Sequence, residues 1–296
     1  MARTILFVLI LFLASIVSAQ KLDTLRLRAL EDTLHMQATI AANDTIEARR
    51  VKANYAMIPT LVTALKIDNS YQYRFDSLEY VSVQYAPDNS FRIFTWFLRG
   101  DNGAYRYFGT LQKNKAKLEM FPLFDYTDSL ERPADTVLTN ESWYGALYYN
   151  IKQVKAKDKT YYLLFGWDGN DLLSSKKLID VLYFENGKPK FGAPIFDIAN
   201  ANGKKPMRFI MEYKRNSSVT LNYDEERKMI VFSHLTPSSE KTADLKFTFI
   251  ADGSYDGFEW KNGKLQFVDN VYKDVVDSRK DVPVPLPKGS DKMKPK

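Results

Sequence analysis

Residues 80–98 read YVSVQYAPDNSFRIFTWFL, and the fold class turns on this stretch. Apolar and polar side chains alternate before Pro87-Asp88-Asn89, and aromatic and β-branched residues dominate on both sides of it. Period two is the signature of a strand, whereas a helix repeats its apolar residues three and four apart. The stretch is therefore two antiparallel strands joined by a turn.

The same period continues along the chain. AYRYFGTLQ (104–112), KLEMFPL (117–123), WYGALYYNIKQV (143–154) and KTYYLLFGW (159–167) read as strands, and 125–141 is a looser acidic stretch. In DVLYFENGKPKF (180–191) and DGFEWKNGKLQFV (256–268), Asn-Gly sits between alternating runs. A two-residue type I′ turn needs positive φ at both central positions, which Asn-Gly supplies. RFIMEYKRNSSVTLNY (208–223) and KMIVFSHL (228–235) add further strands. The expected fold is mainly β, an antiparallel meander of hairpins, either propeller-like with four-stranded units or sandwich-like.

Before Leu78 the period is helical. Leu27, Leu30, Leu34, Ala38 and Ala41 make one stripe, and Val51, Tyr55, Ile58, Val62 and Leu65 a second. Asp44 with Glu47 three residues on has the form of a capping box, and Pro59 should kink or split the second helix. An antiparallel helical pair packed on the β domain follows.

The ends carry different information. Arg3 and the apolar run TILFVLILFLASIV read as an export signal cleaved between Ala19 and Gln20. The expected organisation is a signal peptide (1–19), a helical segment (20–70), an antiparallel β domain (71–272) and a Pro/Lys-rich disordered tail (273–296). No second apolar run is long enough to span a membrane. The chain has no cysteine, which removes disulfides, thiol chemistry and lipid attachment at an N-terminal cysteine. The net charge of +6 comes in good part from the tail, so no concentrated basic face marks a nucleic-acid binder.

The ordered series PTLVTALK, FRIFTW, YRYFGTLQ, TNESWYGALYY, YYLLFGWDGND, LYFENGKPKFGAPIF, YDEERKMIVFSHL and SYDGFEWKNGK resembles an uncharacterised family of exported, signal-peptide-bearing proteins of Bacteroidetes-type bacteria. The likeness runs from about residue 22 to 272. It implies export, an N-terminal helical segment and a β-rich body, and it brings no catalytic residue with it. Asp-Ser/Thr-aliphatic triplets at Thr24, Thr33, Thr45, Ser77, Ser129 and Thr136 resemble the O-glycosylation acceptors of such bacteria. The same pairs also favour helix caps and turns.

Little catalytic chemistry is left open. With two histidines, His35 and His234, a three-histidine zinc site is excluded. No nucleophile elbow or phosphate loop is present, and no cofactor is expected. Asp168, Asn170 and Asp171 have oxygen ligands suited to calcium, but Asp168-Gly169 equally suits a tight turn. Glu79, Asp168, Glu212 and Glu259 are the candidate carboxylates for a glycosidase. Trp96, Trp143, Trp167 and Trp260 could stack on a sugar or fill the core. The leading expectation is an exported periplasmic or extracellular binding or assembly module, whose partner is another envelope protein or a glycan. The alternatives are a glycan hydrolase using paired carboxylates and a carrier of an apolar ligand.

Overall fold

The computed structural model describes residues 22–157, 159–198 and 203–272. The signal sequence with its Ala19–Gln20 junction, and the 273–296 tail, lie outside them. Two helices, α1 (Thr24–Asn43) and α2 (Glu47–Leu65), precede fourteen strands among the described residues. The first sheet is a four-stranded antiparallel meander of β1 (Ser82–Tyr85), β2 (Phe91–Arg99), β3 (Tyr105–Lys113) and β4 (Met120–Phe124). The second contains β5 (Leu138–Thr139), β6 (Leu147–Ala156), β7 (Lys159–Asp168), β8 (Ser174–Glu185), β9 (Lys188–Phe191) and β10 (Phe209–Lys214). Its order is β5-β9-β8-β7-β6, with β10 pairing the other half of β8. The third is again a four-stranded meander, of β11 (Leu221–Asp224), β12 (Met229–Pro237), β13 (Phe249–Lys261) and β14 (Lys264–Val268). No helix among the described residues is long and apolar enough to cross a membrane.

The layers follow chain order because alternate side chains on each strand feed different cores. Even-numbered residues of β2, among them Phe94 and Trp96, face the helical pair and pack with Leu27, Leu34, Met57 and Leu61. Odd-numbered Phe91 and Ile93 face the second sheet and meet Leu164, Leu178 and Leu182. The opposite face of the second sheet, with Leu163, Phe165 and Val181, packs on Ile230, Phe232 and Phe258 of the third. Strands of neighbouring sheets are also joined by hydrogen bonds. Tyr148 N–H at the β6 bulge donates to Thr95 Oγ1 (3.0 Å), and Tyr149 O–H on β6 donates to the Leu221 carbonyl of β11 (2.7 Å). Successive sheets thus follow one another face to face.

Local turn chemistry matches expectation. Asn186-Gly187 (φ 50° and 77°) and Asn262-Gly263 (φ 52° and 76°) close their hairpins with positive φ at both central residues.

The helical pair departs from expectation in part. Asp44 does not form a capping box with Glu47. Its Oδ1 accepts from Ile46 N–H (2.8 Å), and Glu47 Oε2 accepts from Asp101 N–H (3.1 Å) across the fold. Of the two outcomes expected at Pro59, a kink or a split, the split does not occur: α2 runs through it as one element. The Pro59 ring is on an exposed position, where the carbonyl it frees can turn to water. The core face of α2 is Ala53, Met57, Leu61, Ala64 and Leu65, so the stripe of Tyr55, Ile58 and Val62 is rotated out to its flank.

Among the described residues, two arginines are fully buried. Arg92, on the helix-facing side of β2, donates to Gln112 Oε1 (2.8 Å), Tyr85 Oη (2.9 Å) and the Ser70 and Tyr73 carbonyls. Its guanidinium lies over the rings of Phe75 (5.0 Å) and Phe94 (4.9 Å), so π-faces and carbonyls do the work of a counter-charge. Arg208 pairs with Asp180 (3.1 Å), both fully buried, and also donates to the Phe191 and Thr136 carbonyls.

His234 sits at the β12 bulge with Nδ1 2.7 Å from Asp256 Oδ2. The hydrogen bond to Asp256 raises its pKa above the ordinary 6.5, against a smaller opposing effect of burial. A raised folded pKa favours the folded state fully below the unfolded pKa, and this contribution is lost as pH climbs through the folded one. The thermal midpoint of the wild type should therefore fall more between about pH 6 and pH 8 than that of His234→Gln. With its side chain 40% exposed, solvent screening keeps the difference small.

Candidate functional site

The turn after β7 is built by its own side chains. Asp168, 2% exposed, accepts from Tyr144 O–H (2.8 Å), Tyr107 O–H (3.2 Å) and Asn170 N–H (2.8 Å). Burial holds the pKa of Asp168 above the ordinary carboxylate value, and these three donors together with nearby Lys176 offset only part of the rise. Burial also raises both phenols, with Asp168 adding to the effect, so both stay protonated as donors. Asp171 Oδ1 accepts from Leu173 N–H (2.7 Å) and Ser174 N–H (2.9 Å), while Lys176 donates to Asn170 Oδ1 (2.7 Å). A Cβ on Gly169 would come within 2.5 Å of the Tyr105 ring, which explains the glycine. The oxygens of Asp168, Asn170 and Asp171 thus shape a turn, and no group of three metal-ligating side chains forms among the described residues. In Asp168→Asn an amide N–H₂ must face a phenol donor. The substitution should destabilise by about 1–3 kcal/mol in urea unfolding.

The candidate carboxylates are dispersed. Glu79 is exposed before β1, and Glu259 on β13 pairs with Lys261 (2.6 Å). Asp168 and Glu212 do share a cross-strand row, but Lys176 stands between them on β8, and Glu212 accepts from Ser174 Oγ (2.7 Å). His35 Nδ1 lies 2.9 Å from the Ser77 carbonyl.

The tryptophans are largely internal. Trp143 is fully buried and Trp96 4% exposed, with their indole N–H groups donating to Tyr148 Oη (2.8 Å) and Asn54 Oδ1 (2.8 Å). Trp167 packs with Phe97 and Tyr105, and Trp260 donates to the Lys155 carbonyl (3.3 Å). Of the six hydroxyl acceptors, Thr24, Thr45, Ser77, Ser129 and Thr136 are exposed, and Thr33 is half-buried. Asp23 caps α1 through Arg26 N–H (3.1 Å), so at least one Asp-Thr pair has a structural role of its own.

The open apolar surface lies elsewhere. Helix α2 leaves part of the outer face of β3 and β4 uncovered, and a groove of about 290 Å³ runs between them. Tyr55, Ile58 and Val62 form its wall, while Phe108, Pro122 and Phe124 lie along its floor. Tyr55 is 51% and Phe124 58% exposed, so this apolar patch is reachable from solvent. Phe108 is held edge-on by Tyr55 (6.1 Å) and stacked on Trp96 (5.9 Å), which fixes the floor.

Main-chain pairing is not what β4 offers. Pro122 has no N–H, its carbonyl accepts from Asn140 Nδ2 (3.1 Å), and the Phe124 carbonyl accepts from Trp143 N–H (3.0 Å). Binding here must go through side chains.

Arg106 stands at one end of the groove and also lines a polar cleft of about 560 Å³ beyond it. Of the three acids lining that cleft, the exposed Asp128 has no hydrogen bond or ion pair among the described residues, and the other two are engaged. Glu47 accepts from Asp101 N–H, and Asp125 accepts from Tyr107 N–H (2.8 Å) and Thr127 O–H (2.7 Å). Among the described residues the exposed guanidinium of Arg106 has no hydrogen-bond or ion-pair partner. Sequence alternation could have placed Arg106 on the same face as Phe108, but nothing in the sequence says that α2 stops short of that face. Comparison with family models, with curated proteins and with solved structures finds no match to this chain.

Proposed function

We propose that this chain is a non-catalytic binding module of a bacterial envelope, exported to the periplasm or beyond, and that it meets its ligand or partner through the α2/β3–β4 groove. The export half of this reading comes from the basic-then-apolar N-terminus ending in small residues. The observation that carries the binding half is an accessible aromatic groove next to an unpaired guanidinium. A concave site lined mainly by aromatic and aliphatic side chains with one charged group at its end is the usual form of a small-molecule site. A glycan hydrolase would need two carboxylates flanking an open cleft. The buried Asp168, with its phenol donors, and the Lys176-separated Glu212 do not supply that arrangement.

The test uses positions exposed enough to change without harming the fold. Tyr55→Asp and Phe124→Asp are expected to reduce recovery of crosslinked ligand or partner from the native envelope at least about tenfold, the loss of one well-packed apolar anchor. Phe267→Asp, on the third sheet, should leave recovery unchanged. Equal recovery from all three variants would remove the groove from the account.

A further inference from the structure

We infer that the occupant of the groove is a single-chain anionic amphiphile, a medium-chain carboxylate whose alkyl chain lies along α2 and whose head pairs with Arg106. The inference rests on the groove being the binding face, and it names the chemistry that face would select. Size comes first. About 290 Å³ is at the lower end of small-molecule sites, and at roughly 30 Å³ per water-sized group it takes about ten such groups. That is one alkyl chain of moderate length.

Polarity comes second. The wall and floor from Ile58 and Val62 to Phe108 and Phe124 are carbon, and the main-chain groups of β4 nearby are already bonded. The middle of an occupant therefore needs no hydrogen-bonding groups.

Charge comes third. The one cationic side chain lining the groove is Arg106, at the end where the groove opens into the polar cleft, and its planar fork matches a carboxylate. A quaternary ammonium head in the same place would meet that guanidinium with like charge, because the acids Glu47, Asp125 and Asp128 line the cleft beyond and not the groove itself. A neutral head would leave it unpaired.

The experiment is calorimetric titration of the chain from Gln20 onward with decanoate, decanol and decyltrimethylammonium. Decanoate should bind one to one. Shortening it by two methylenes should weaken binding about tenfold. Arg106→Gln should weaken decanoate about tenfold and leave decanol unchanged, because only the charge-assisted contact is removed. Phe124→Asp should weaken both decanoate and decanol. Decyltrimethylammonium binding as tightly as decanoate, indifference of decanoate to both substitutions, or absence of decanoate binding would each overturn the inference. Should decanoate fail while Tyr55→Asp and Phe124→Asp still lose the envelope crosslink, the ligand class is wrong and the binding face stands. If the crosslink also survives those substitutions, both readings fall.

Discussion

Asp180→Ala is expected to lower the unfolding free energy by about 3–5 kcal/mol, because it leaves the Arg208 guanidinium buried without its counter-charge. Asp180 and Arg208 are both fully buried, 3.1 Å apart, inside the second sheet. Asp180 also accepts from Tyr148 O–H (3.2 Å), and Arg208 ties down the Pro133–Thr136 turn and the end of β9 through carbonyls. The loss therefore reaches both the core and the acidic stretch between the first two sheets. Urea unfolding of the single variant should show it as a lowered midpoint. Asp180→Leu combined with Arg208→Met should recover much of the loss, since replacing a buried pair with apolar groups is often close to neutral. A wild-type midpoint for Asp180→Ala would mean that the pair is solvated and that the second sheet is more open than described.

Trp143→Ala should cost a similar amount, about 3–5 kcal/mol, for a different reason. Trp143 is a fully buried, very large side chain between the first and second sheets, and its removal leaves a cavity that neighbouring strands cannot close. Trp143→Phe keeps most of the volume but deletes the N–H donated to Tyr148 Oη (2.8 Å), so about 1 kcal/mol should remain lost. Trp143, Tyr148 and Asp180 form one chain of hydrogen bonds. The losses from Trp143→Ala and Asp180→Ala should therefore fail to add by about 0.5–3 kcal/mol in a double-mutant cycle. Additive losses would show that the hydrogen-bonded chain does not act as a unit.

Much of the β architecture is legible in the sequence because its determinants are local. The Asn-Gly pairs set two hairpins through backbone sterics alone, and both appear with the required positive φ. The period-two runs locate most of the strands, but β8 starts at Ser174 and β13 at Phe249, well before the runs at 180 and 256, and β5 lies in the stretch read as loose. What is not legible is which faces are covered. FRIFTWF is polar only at Arg92 and Thr95, and nothing local says that Arg92 is buried, yet β2 lies between a helical layer and a second sheet and is buried on both sides. A charged side chain is legible as buried only once its partners are known, and those of Arg92 and Arg208 come from elements distant in sequence. Helix α2 has the same ambiguity. Tyr55-Ile58-Val62 and Met57-Leu61-Ala64 are overlapping stripes, and only the packed sheet decides which faces the core.

The candidate site inherits that ambiguity. Each groove residue is an ordinary strand or helix residue by sequence, and the site exists because α2 stops short of β4. Asp168-Gly169-Asn170 is legible in part, since Asx bonding is short-range and Asn170 N–H does bond Asp168, but the positive φ of the turn falls on Asn170 (48°) and not on Gly169, where a tight turn at Asp-Gly would put it.

The central claim is that the molecule is engaged through the α2/β3–β4 groove. Its most direct measurement is site-specific photocrosslinking in the native envelope, with a photoreactive phenylalanine at position 124, 172 or 267 in turn. Phe124, Leu172 and Phe267 are all exposed apolar side chains, but only Phe124 lines the groove. The account predicts a discrete adduct, identified by mass, at position 124 and none above background at 172 and 267. Adducts at 172 or 267 that match or exceed those at 124 would contradict it.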